Sequence, residues 1–254
     1  MPRPEEIGGK IGADHPLFDL IEQVYRVFAY PRPRSTDVCE NCCMDPQIEA
    51  DFFNPPIREL PLAYVLDWYF AACERQGASK ATWGWLLPRI LEVLAVGDDV
   101  ATVGLEVSLA RFETGNPANW SGEEWRVLDS FQRQYLALQI EDGGDNLDDV
   151  LCMFRLGGWP MEDLLEQVAA FPDDVLAHRF WRDWCEHHVP GREAVWITPF
   201  WEAPDNTAAY DFYTSPEIHA RMEALALADA TDPELAAQAS AVVGVIEAGA
   251  DWLR

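Results

Sequence analysis

Four places along this 254-residue chain carry a helix-opening signal. Asp45-Pro46, Ser215-Pro216-Glu217 and Asp232-Pro233-Glu234 each set a side-chain acceptor just before a proline. The acceptor can satisfy the first orphan amides of a helix, and proline suits the first helical position. "WSGEEW" at 120–125 is a capping box. Ser121 caps, Glu124 reaches back three residues later, and Trp120 and Trp125 stand at staple positions. A chain started this way repeatedly is committed to many short helices.

The apolar residues agree. Leu17, Leu20, Ile21, Val24, Val27 and Phe28 share one face of a helix opening near Asp14-His15-Pro16. "LPLAYVLDWYFAACERQG" reads as a helix stopped by Gly77, and "TWGWLLPRILEVLAVG" as the next, with Pro88 starting or kinking it. "ATVGLEVSLARFETG" reads as helix, although Val103 and Val107 keep a strand open. The capping-box helix is expected to reach about Ile140. Leu147, Val150, Leu151 and Phe154 form another face, ended by Gly157-Gly158; Pro160 opens a helix with Met161, Leu164, Leu165 and Val168. Val175, Leu176, Phe180 and Trp184 continue the pattern, and residues 195–213 break it. The last two signals lead helices carrying Ile218, Met222 and Leu225, then Leu235, Ala239, Val242 and Ile246.

The expected fold is therefore all-α: an array of short antiparallel helices with the rhythm of HEAT or armadillo proteins. No repeat is visible residue by residue. One continuous domain over 1–254 is expected, with the Gly143–Gly144 turn as a candidate seam.

Charge narrows the partners. The chain holds 44 acids and 18 bases, net −26, and Lys10 and Lys80 are its only lysines. Residues 201–254 carry 10 acids against 2 bases. Such a chain repels nucleic-acid phosphate and anionic membranes, whose binding runs on Lys and Arg. It attracts basic proteins, although acidity also serves plain solubility. The first residues have no apolar run and no stretch is long enough to span a bilayer, so a cytoplasmic location with reduced thiols is expected.

Three of the six cysteines crowd into "VCENCC" at 38–43. Cys39-x-x-Cys42 has metal-knuckle spacing and Cys43 adds a thiol, but a structural zinc needs four ligands. His188, three residues after Cys185, is the best completion, with His187 or Cys73 as substitutes. A redox disulfide is a second reading, and packing of the cysteines as small apolar residues a third.

"EDGGDNLDD" at 141–149 holds Glu141, Asp142, Asp145, Asp148 and Asp149. It fails as a calcium loop, because Leu147 and Met153 stand where glycine and the bidentate glutamate belong. Its acids suit a helix N-terminus, or a patch that docks Arg and Lys of a partner. "CEHH" at 185–188 puts Cys185 and His187 on different helix faces. "IGGKIG" at 7–12 lacks the spacing of a phosphate loop.

"FAYPRPRSTDVCENCCMDPQIEADFFNPPIRELP" at 28–61, Thr82-Trp83-Gly84 and "LPRILE" at 87–92 resemble a family of uncharacterised bacterial proteins. That family has Tyr-Pro-Arg-Pro, clustered-cysteine, Pro-x-Arg-Glu-Leu, Thr-Trp-Gly and Leu-Pro-Arg stretches. The resemblance covers about the first 95 residues. It implies an all-helical fold and bacterial origin and assigns no catalytic residue.

With no complete catalytic motif, the expected function is binding. An acidic helical scaffold would meet a basic protein through Glu141, Asp142, Asp145, Asp148 and Asp149. An immunity protein or antitoxin against a nucleic-acid-targeting toxin is the concrete form. The alternative is a zinc enzyme or sensor using Cys39, Cys42, Cys43 and His188.

Overall fold

The structure is a computed structural model. It describes residues 7–39, 43–73, 77–186, 191 and 193–252, the last three by backbone alone. Among these residues the regular structure is helical, and extended backbone pairs in an isolated antiparallel bridge, Val38 with Cys73. The helices are α1 (Phe18–Val27), α2 (Pro46–Asp51), α3 (Leu62–Phe70), α4 (Lys80–Ala95), α5 (Gly122–Asp142) and α6 (Leu147–Leu156). They continue with α7 (Met161–Ala169), α8 (Asp173–Trp181), α9 (Asp205–Tyr213), α10 (Pro216–Leu227) and α11 (Pro233–Trp252). The all-α expectation holds. Lengths from 6 residues in α2 to 21 in α5 impose no common hairpin repeat.

The helix starts follow the caps. Asp45 accepts from Gln47 N at 2.8 Å, Ser215 from Ile218 N at 3.2 Å, and Asp232 from Glu234 N at 2.9 Å. The capping box closes both ways: Glu124 N donates to Ser121 Oγ at 3.3 Å, and Ser121 N donates to Glu124 Oε2 at 2.7 Å.

The backbone groups into two compact units: Met1–Tyr135 with Met153–Trp159, and Leu136–Cys152 with Pro160–Arg254. The division falls inside α5 and α6, and the Gly143–Gly144 turn lies within the second unit.

In the first unit α4 is the axis, buried at every position from Thr82 to Ala95. A helix apolar all round belongs in a core. Pro88 sits inside it without ending it. Gly84 gives room to the Tyr30 ring, which an added Cβ would meet at 2.8 Å. Trp68 and Trp83 are fully buried, and their indoles donate to Thr36 O and Thr114 Oγ1.

The interior of α4 also carries a charged cluster. Arg89 and Glu92 pair at 2.9 Å, both almost wholly buried. The guanidinium of Arg89 donates to the carbonyls of Ile7, Gly8, Gly9 and Leu60, while Lys10 and the Tyr25 hydroxyl donate to Glu92. Gly8 and Gly9, at φ +65° and +52°, adopt a conformation that side chains resist, and their successive carbonyls face one cation. "IGGKIG" thus binds a guanidinium through oxygen atoms, the inverse of a phosphate loop.

Three segments depart from expectation. Helix α3 ends at Phe70, well before Gly77, because Ala71–Cys73 extend to pair with Val38 and Arg111 takes the last carbonyls. Residues 101–115 form turns around a short 3-10 stretch, Leu105–Val107. Their backbone groups are spent on neighbours: Arg111 O accepts from Ala78 N, and Gly115 N donates to Gly157 O. Within 195–213, residues 205–213 are helical as α9.

In the second unit α11 packs on α8 and α10. Phe180 and Trp184 stack at 4.6 Å, and Tyr213 meets both edge-on. Beyond α8 the chain continues through one wide π turn, Arg182–Glu186.

Candidate functional site: the acidic turn and the segment it holds

The five acids of 141–149 divide by depth. Glu141 and Asp142, at the end of α5, are exposed; Asp145 and Asp149 are half-buried. Asp148, expected to face a partner, is only 3% exposed and faces inward. Its Oδ2 accepts from Thr198 N at 2.7 Å and from Trp201 Nε1 at 2.8 Å. The next carboxylate, Asp149, accepts from Trp196 Nε1 at 3.0 Å. Two adjacent acids in the first turn of α6 thereby catch two indoles of the irregular segment. The placement also suits the positive end of the helix.

Burial pushes the Asp148 carboxyl up to about 7, against the hydrogen bonds from Thr198 and Trp201 and the nearby Tyr213 hydroxyl, which favour its ionised form. Asp148 Oδ1 and the Tyr213 hydroxyl lack hydrogen bonds of ordinary geometry, yet the two groups lie close enough to couple. Burial first, and the Asp148 charge second, hold the Tyr213 phenol well above its usual range.

The turn wraps a guanidinium. Arg179 is buried, and its Nε donates to Asp183 Oδ2 at 2.9 Å. Its Nη atoms donate to the carbonyls of Gln139, Gly143 and Asp145. Asp183 Oδ2 also accepts from Leu147 N at 2.9 Å, which closes the start of α6. Burial lowers the proton affinity of Arg179, and Asp183 opposes that.

The other described arginines of this unit are spent likewise. Arg221 donates to Asp173 Oδ1 and to the carbonyls of Ala169 and Phe171; Arg182 lies 3.6 Å from Asp183. Among the described residues of the second unit no Lys or Arg side chain is exposed, whereas Glu162, Asp163, Glu166, Asp174, Glu217 and Glu234 are, with others. Arg192 and Arg254 lie outside those residues. The first unit differs: Arg26, Arg32, Arg34, Arg126 and Arg133 are exposed among its acids. With the described arginines turned onto carbonyls and carboxylates, the exposed Asp, Glu, Lys and Arg side chains described in the second unit are all acidic.

Of the expected metal ligands, Cys42 and His188 lie outside the described residues. Cys39 is disulfide-bonded, so in this state it has no thiolate for a metal. Cys43 is half-buried. Among the described residues no group of three or more His, Cys, Asp or Glu is placed to hold a metal ion. Cys185 is no activated nucleophile: burial and the nearby Glu193 push its thiol up to about 11.

The stretches behind the family resemblance meet inside the first unit. Tyr30 packs on Gly84, and Arg89 donates to Leu60 O at 3.0 Å. They work there as architecture. Sequence reasoning missed Arg179, Asp183, Trp201 and Tyr213. The four-residue spacing of Arg179 and Asp183 was the available signal, since it pairs charges along a helix. No family model, curated protein or solved structure matches this chain.

Proposed function

We propose that this chain is a non-catalytic acidic helical protein that binds a basic protein partner. One observation carries the reading: in the second unit the described Arg side chains are turned onto carboxylates and helix-end carbonyls, while the exposed charged side chains are acidic. Its concrete form is an immunity protein or antitoxin that covers the basic cleft of a nucleic-acid-targeting toxin. Binding would act by occlusion, with the negative face steering encounter. Glu141 and Asp142 are the contacts of choice, Asp145 and Asp149 flank them, and Asp148 holds the neighbouring segment in place. The test is stopped-flow association with the basic protein encoded beside this chain's gene. The rate is expected to fall at least about tenfold from ~20 mM to ~300 mM salt. No binding, or a rate indifferent to salt, removes the proposal.

A further inference from the structure

A groove of about 490 Å³ lies in the second unit, apart from the acidic turn. Its volume is within the range of small-molecule sites, roughly 300–1,000 Å³. Trp181 and Cys185 line it from the end of α8 and the π turn, Ala241, Gly244 and Val245 from α11, and Glu193 from the following loop. Trp181 is steadied by stacking on His178, with ring centroids 6.2 Å apart. One Glu193 oxygen accepts from Gly191 N at 2.7 Å, which fixes the carboxylate at the groove. Gly244 faces open space: a Cβ built there meets nothing within 4 Å. None of the described lining residues is basic. The Cys185 thiol is held neutral and adds soft apolar surface.

We propose that this groove binds a small organic cation with an apolar body, of the aryl- or alkylammonium class. The apolar part lies along Ala241, Gly244 and Val245, and the ammonium sits by Trp181 and Glu193. An indole ring and a carboxylate both attract such a charge, and the weakly hydrated cation costs little to desolvate. The site does not depend on the docking of a basic protein.

Isothermal titration with benzyltrimethylammonium tests it, with benzyl alcohol as the uncharged control. The cation is expected to bind one per chain and the alcohol at least about tenfold more weakly. Gly244→Leu fills the groove and should abolish binding; the open space at that position lets the helix accept it. Glu193→Gln retains an oxygen for Gly191 N and should weaken the cation about tenfold, leaving the alcohol unchanged. No binding of the cation at millimolar concentration overturns the proposal. So does equal affinity for cation and alcohol, or binding that neither substitution alters.

Discussion

Asp148 is a buried carboxyl held far from its ordinary state. Its carboxyl titrates near 7 in the folded chain, against a usual 3.8. The unfolded chain therefore releases this proton first as pH rises. The stability Asp148 contributes is full below about pH 4 and is lost progressively up to about pH 7. Glu22, Asp37 and Glu124, whose carboxyls are held low, trend the other way at lower pH. The difference between wild type and Asp148→Asn isolates the one group. Urea unfolding should show wild type losing about 2–3 kcal/mol relative to the variant between pH 5 and pH 8. A difference independent of pH would mean that Asp148 is ionised throughout. Arg179 raises the opposite issue, because it is a buried charge held by a carboxylate and three carbonyls. Arg179→Met takes the nearest cation from the buried Asp183, leaving it Leu147 N and the more distant Arg182, and should cost about 3–5 kcal/mol by denaturant unfolding. Adding Asp183→Asn should recover part of that loss.

At the scale of the element, helix starts were legible and several stops were not. Asp45, Ser121, Ser215 and Asp232 cap where their sequences say, because an N-cap is a local bond closed within three residues. Ser121→Ala should lower stability by about 1 kcal/mol in thermal unfolding, since α5 loses one half of its box. Three helix ends here depend on distant arginines. Arg111 caps the carbonyls of Trp68, Tyr69 and Ala71, Arg179 those at the end of α5, and Arg221 those at the end of α7. Each capping arginine lies about 40 or more residues along the chain from the end it closes. A local pattern carries no trace of that, which is why α3 read as continuing to Gly77. Residues 101–115 misled for a related reason: apolar spacing fits a helix, but their amides and carbonyls are claimed from outside.

Over the whole molecule the net charge was plain from composition, and its arrangement was not. Composition counts Arg179 and Arg221 as neutralising charge, whereas folding places them on carbonyls and on Asp183 and Asp173. The acidic turn was legible as a feature, but its five acids are not one surface, because the hydrogen bonds of Asp148 to residues 50 or more positions away turn it inward. The oxidised state of Cys39 also differs from the reduced thiols expected; alkylation should label Cys39 only after treatment with a dithiol. What the fold adds to composition is that, among the described residues of the second unit, the fully exposed Asp, Glu, Lys and Arg side chains are all acidic. The direct measurement is association with the basic partner at two ionic strengths for two neutralised variants. One carries Glu141→Gln, Asp142→Asn, Glu162→Gln and Asp163→Asn; the other carries Asp14→Asn, Asp19→Asn, Asp98→Asn and Asp99→Asn in the first unit. The second-unit variant should lose most of the salt-dependent rate while the first-unit variant keeps it. Equal losses in the two, or a wild-type rate that salt does not change, would contradict a docking face in the second unit.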